Sequence, residues 1–124
     1  MKDLRKLVQE VLDAVFYGVV PVYAEDAEEE QMPDEYIVFD VVYSLGHSWA
    51  NGRTVSIREG VDVTYCCRRR GQKPARLRQI MRTMTDAGFD VVEGFADIPR
   101  GEITGYYGAV AEFALVRVVV DDAD

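Results

Sequence analysis

The sequence predicts an α+β domain: a mostly antiparallel sheet of four to five strands with two helices packed on one face. Three observations predict it. Two segments carry the three-to-four-residue apolar spacing of surface helices. At least two long stretches alternate apolar and polar residues with the period of a half-buried strand. The chain has 124 residues, 48% of them hydrophobic and 29% charged, which fits one core-forming domain over 1–124.

Residues 3–17 form the first helix, because Leu4, Leu7, Val8, Val11, Leu12, Val15 and Phe16 share one stripe. Asp3 suits its start and Gly18 its stop. "VVPVY" follows as a short extended piece, which Pro21 confines to an edge or a strand start. Residues 24–35 read as an acidic loop. "YIVFDVVYSL", 36–45, alternates, with Ile37, Phe39, Val41, Tyr43 and Leu45 expected on the core face. "GHSWANGR" reads as a turn or flexible loop, longer than a tight hairpin connection.

A second long strand runs over 53–67. Val55, Ile57, Val61, Val63 and Tyr65 take one side; Ser56, Arg58, Asp62, Thr64 and Cys66 take the other. Glu59-Gly60 breaks the pattern and suggests a bulge. The two strands are expected to pair as an antiparallel hairpin. "GQKPARLRQIMRTMTDAG" is the second helix, with Pro74 in its first turn and Gly88 at its end. "FDVVEGF" is a short strand, "ADIPRGEITG" a polar loop, and 106–120 the last long strand.

Charge is the second theme. The formal net charge is -8, which argues against nucleic acid as a whole-molecule partner. The distribution is uneven. Residues 25–35 hold seven acids and no base, whereas 66–85 hold seven bases and no acid. One such run reads as a solvated face. Two opposite runs in one small domain suggest a contact between identical subunits. Glu25, Asp26, Glu28, Glu29 and Glu30 of one copy would meet Arg68, Arg69, Arg70, Lys73 and Arg76 of the next, head to tail.

Signals for chemistry are weak. His47 is the sole histidine, placed in the Gly/Ser/Asn stretch, and no nucleophile elbow accompanies it. Cys66 and Cys67 are adjacent in a strand, so they point to opposite faces and do not share a metal ion. Cys67 falls on the core side; nearby arginines would lower a thiol pKa if either cysteine were a sensor. No phosphate loop, dinucleotide fingerprint or calcium-loop register occurs. Neither catalytic residues, metal ligands nor a cofactor are expected. A small enzyme built on Asp40, Asp62 or His47 ranks last. The amphipathic, charged N-terminus does not read as a signal peptide, and no apolar run is long enough for a membrane span, so a cytoplasmic protein is expected.

The element order, together with "PVY", "YIVFDVV", "VDVTY", a helix closing on "DAGF" and a strand opening "TGYYGAVAEFALV", resembles the tail terminator or tail-completion proteins of long-tailed bacteriophages and prophages. The resemblance covers nearly the whole chain. It implies a small non-enzymatic assembly protein that forms a homo-oligomeric, hexameric ring. That ring caps the tail tube, ends its polymerisation and offers the surface for head joining. Implied partners are the tail tube protein and a head-tail connector or stopper protein, with DNA only as cargo through the lumen. The implied location is the head-proximal end of the virion tail, after assembly in the host cytoplasm. The arginine triplet beside paired cysteines and the length of 46–53 depart from the family pattern. Two alternatives stand beside it: a neck or head-completion ring protein, and a small nucleic-acid-binding regulator using 68–82.

Overall fold

Alternation along the strands builds a five-stranded sheet, and both helices bury their apolar stripes on the same side of it. The computed structural model describes residues 3–24, 32–99 and 105–119. The elements are α1 (Leu4–Phe16), β1 (Val22–Ala24), β2 (Glu35–Ala50), β3 (Arg53–Cys67), a 3-10 turn (Arg70–Gln72), α2 (Lys73–Asp86), β4 (Asp90–Ile98) and β5 (Tyr107–Val118). The spatial order is β1-β2-β3-β5-β4. The β1/β2 pair is parallel and the other three pairs are antiparallel.

Local chemistry sets the helix ends. The Arg5 backbone N–H donates to Asp3 Oδ1 at 2.8 Å, so Asp3 caps α1. α2 ends in a Schellman motif. Gly88 sits at φ +98, the Phe89 N–H donates to the Met84 carbonyl, and the Gly88 N–H donates to that of Thr85. Phe89 and Met84 both enter the core, as that motif favours.

The core lies between the helices and one face of the sheet. Leu4, Val8, Leu12 and Phe16 of α1 and Ile80 and Met84 of α2 pack on Ile37, Phe39, Val61, Val63, Tyr65 and Phe113. Pro21 directly precedes edge strand β1, and its carbonyl accepts from the Ile37 N–H. That is the edge position its missing N–H demands.

Three expectations change. Residues 46–50 are strand, not loop: β2 continues to Ala50, which pairs with Arg53. The connection is the two residues Asn51 (φ +53) and Gly52 (φ +73), both left-handed as a type I′ hairpin turn requires. His47 is therefore an exposed strand residue. The irregularity is also displaced. β3 pairs with β5 without a break from Ser56 to Cys67; the first of three shifts against β2 falls between Val41 and Tyr43, the others between Gly46 and Ser48 and between Ser48 and Trp49. The extra β2 residue moves Tyr43 and Leu45 off the core face, opposite Gly60 and Arg58. Tyr43 lays its ring over Gly60, in the space a side chain there would fill. Lastly, "ADI" extends β4 to Ile98 instead of starting a loop.

Unbroken parity leaves Glu59 on the helix side, 7% exposed. Arg117, on the neighbouring strand, donates to it from Nε at 2.7 Å and also from Nη2. Removing one partner of such a pair leaves a buried charge uncompensated. Arg117→Ala is therefore expected to cost about 3 kcal/mol in denaturant unfolding. Gly52→Val forces a β-branched residue to positive φ and is expected to cost about 1 kcal/mol by the same measurement.

Candidate functional site

Two surfaces stand out: the basic segment entering α2, and the sheet face that the helices leave uncovered.

The basic segment does not project as a block. Arg68 Nε pairs with Asp34 Oδ1 at 3.2 Å, and its guanidinium lies 4.9 Å from the Tyr106 ring centroid. Lys73 pairs with Asp97 at the end of β4. Arg76 Nε donates to Glu35 Oε2 at 2.7 Å, and its Nη1 donates to Gln79 Oε1 at 2.9 Å. The fully buried Tyr65 donates its hydroxyl to the same Glu35 oxygen. Burial above all, then this hydrogen bond, pushes the Tyr65 phenol well above its ordinary pKa.

Lys73 and Arg76 are thus part-buried structural cations rather than members of an exposed edge. Among the described residues, Arg69, Arg70, Arg78 and Arg82 are exposed and carry no ion pair. Asp34 and Glu35 close the acidic run of the sequence, so that end of it meets the basic run inside one chain. Glu25, Asp26, Glu28, Glu29 and Glu30 lie outside the described residues.

The uncovered sheet face has two zones. At one end Tyr36, Cys66 and Tyr106 form a small cluster with Tyr23, Met32 and Val38 against it. The Tyr36 and Tyr106 rings meet edge to face, 5.4 Å apart. The Tyr106 hydroxyl is shared between the carbonyls of Met32 and Pro33, at 3.0 and 2.9 Å. Cys66 is buried under this cluster, while Cys67 is buried in the main core, its Sγ donating to the Arg69 carbonyl at 3.3 Å. Burial raises both thiols, although the triplet of arginines begins at the next residue. The charge those arginines carry does not outweigh desolvation, and a reactive thiolate is disfavoured.

Across the middle of the same face runs a row of carboxylates. Asp40 of β2 stands opposite Asp62 of β3, Asp62 opposite Glu112 of β5, and Glu112 opposite Glu93 of β4. Like charges in directly opposed positions repel. The Asp62 carboxyl is raised above its ordinary value, first by burial and then by Glu112, Asp40 and Glu93. The alternation already marked Asp40 and Asp62 as outward-facing. Glu93 and Glu112 joined them only through the strand order. No group of His, Cys, Asp and Glu among the described residues has the geometry of a metal site. No helix there is long and apolar enough to cross a membrane.

No protein-family model and no curated protein matches the chain.

The Asp62 shift has a definite sign. A carboxyl whose pKa is higher in the folded state makes folding less favourable as pH rises. The cost is absent below the ordinary value of 3.8 and complete above the folded value. Asp62→Asn is expected to be the more stable protein at pH 7, by about 0.5 kcal/mol. Thermal melts at stepped pH are expected to show the gap closing as pH falls towards 3.8.

Proposed function

We propose that this chain is a structural assembly protein of a long-tailed bacteriophage or prophage. Copies of it form a ring that caps the tail tube, ends its growth and presents the head-joining surface. The observation that carries this reading is the one-sided sheet. Helices cover one layer, and the opposite layer keeps a wide face crossed by a row of opposed carboxylates. Like charges set opposite one another burden a lone subunit, whereas an interface with a basic partner surface uses them. The α+β order and the motifs that resemble tail terminators support the same reading.

The basic segment supports a nucleic-acid regulator less well. Arg68, Lys73 and Arg76 are engaged with Asp34, Asp97 and Glu35, which removes three of the seven bases from any phosphate-binding surface.

The deciding experiment mixes the purified protein with the tail tube protein of the same phage or prophage, followed by negative-stain electron microscopy. Shorter tubes with a ring on one end are expected. Tubes of unchanged length with bare ends overturn the proposal.

A further inference from the structure

We infer that the open sheet face of one copy receives the outer face of α2 from the next copy, head to tail, with Arg78 and Arg82 lying on Asp62, Glu112 and Glu93 of the carboxylate row. The inference rests on the ring reading and names the two surfaces that build the ring.

The sheet face offers more than charge. On the hairpin side of the carboxylates, the register places Leu45, Arg58 and Val116 in one cross-strand row, and Val118 beside Ser56. Leu45 is 59% and Val118 72% exposed, so an apolar margin borders the acidic band. Within the chain, Arg58 Nε is directed at the Tyr43 hydroxyl, 3.4 Å away, at the hairpin side of the band.

α2 offers the complement. Arg78 and Arg82 are one helical turn apart on its exposed side. They flank a groove of about 570 Å³ with an apolar floor of Leu77, Met81 and Phe95, closed at its far end by Thr85 and Asp86. The two arginines match the carboxylates and the groove floor matches the apolar margin.

Geometry makes the contact directional. α2 packs on the layer that carries Val61, Val63 and Phe113, and the carboxylates point from the other layer. Donor and acceptor surfaces therefore lie on opposite sides of one molecule. Such a contact joins unlike surfaces and propagates, closing into a ring when the rotation per copy divides a full turn. It also accounts for the repulsion among Asp62, Glu112 and Glu93 within one copy: the next copy's guanidinium groups neutralise it. An acidic face and a basic face speed association and fix register.

The test uses two double variants of the full chain, Glu93→Lys/Glu112→Lys and Arg78→Glu/Arg82→Glu. Oligomer mass is read by sedimentation velocity, with and without tube ends present. Each variant alone is expected to need roughly tenfold or more protein to assemble than the parent. Mixed in equal amounts they are expected to recover assembly, because the retained faces pair at one junction and the reversed faces, lysine on one copy and glutamate on the next, pair at the following one. The first variant is expected to melt no lower than the parent, since it relieves repulsion within the row, so its loss of assembly is not misfolding. Parent and variants that assemble alike overturn the contact while leaving the ring reading intact. So does a mixture that recovers nothing. Variants that assemble normally but no longer cap tubes assign the face to a different protein and also overturn it. A parent that stays monomeric even with tube ends present overturns the ring reading and this contact together.

Discussion

The unbroken parity of β3 is the constraint on which the rest of this structure depends. From Ser56 to Cys67 every residue pairs with β5 in register, so odd and even positions never exchange faces. Val61, Val63 and Tyr65 go to the helices, Asp62 and Cys66 go to the open face, and Glu59 is carried into the helix side. Glu59 is tolerated there because Arg117, on the same face of β5, satisfies it. Any bulge in β3 would exchange these two populations. Within that span the irregularities fall on the partner strand instead, between Val41 and Tyr43 and between Gly46 and Ser48. The first leaves one residue unpaired and turns Tyr43 and Leu45 outward, with the Tyr43 ring covering Gly60.

Electrostatics divides along the same plane. On the helix side, charges are consumed in pairs that fasten elements of distant sequence. Glu35 of β2 holds Arg76 of α2 and accepts from Tyr65 beneath it, and Lys73 reaches Asp97 on β4. These contacts place the start of α2 over the sheet end. On the open side Asp62, Glu112 and Glu93 stand against one another, and the desolvated Asp62 bears the consequence. The proposed subunit contact draws on that row.

Much of the fold was legible in sequence. Periods of roughly 3.6 and 2 residues report which side of an element is buried, and that signal is local. It placed both helices, the element order and the exact span of β3, Arg53–Cys67. Turn chemistry is legible too: Asn51-Gly52 between alternating residues is a hairpin signal, although the neighbouring Gly46 and Ser48 give the same stretch a loop-like composition. Gly46 is compatible with strand because the Trp49 ring lies against it, and a Cβ there would come within 2.9 Å.

What the sequence determined by itself was the inventory: an α+β chain with two amphipathic helices, outward-facing Asp40 and Asp62, and a basic entry to α2. Only the tertiary structure decided which charges meet. Asp34 and Arg68, Glu35 and Arg76, and Lys73 and Asp97 are 34, 41 and 24 residues apart, and their pairing depends on how the strands are ordered. The carboxylate row depends on it still more. β5 lies between β3 and β4, so Glu112 and Glu93 fall into line with Asp62 although no local pattern connects them. Periodicity assigns a residue to a face; strand order assigns it neighbours, and interaction energies depend on the neighbours.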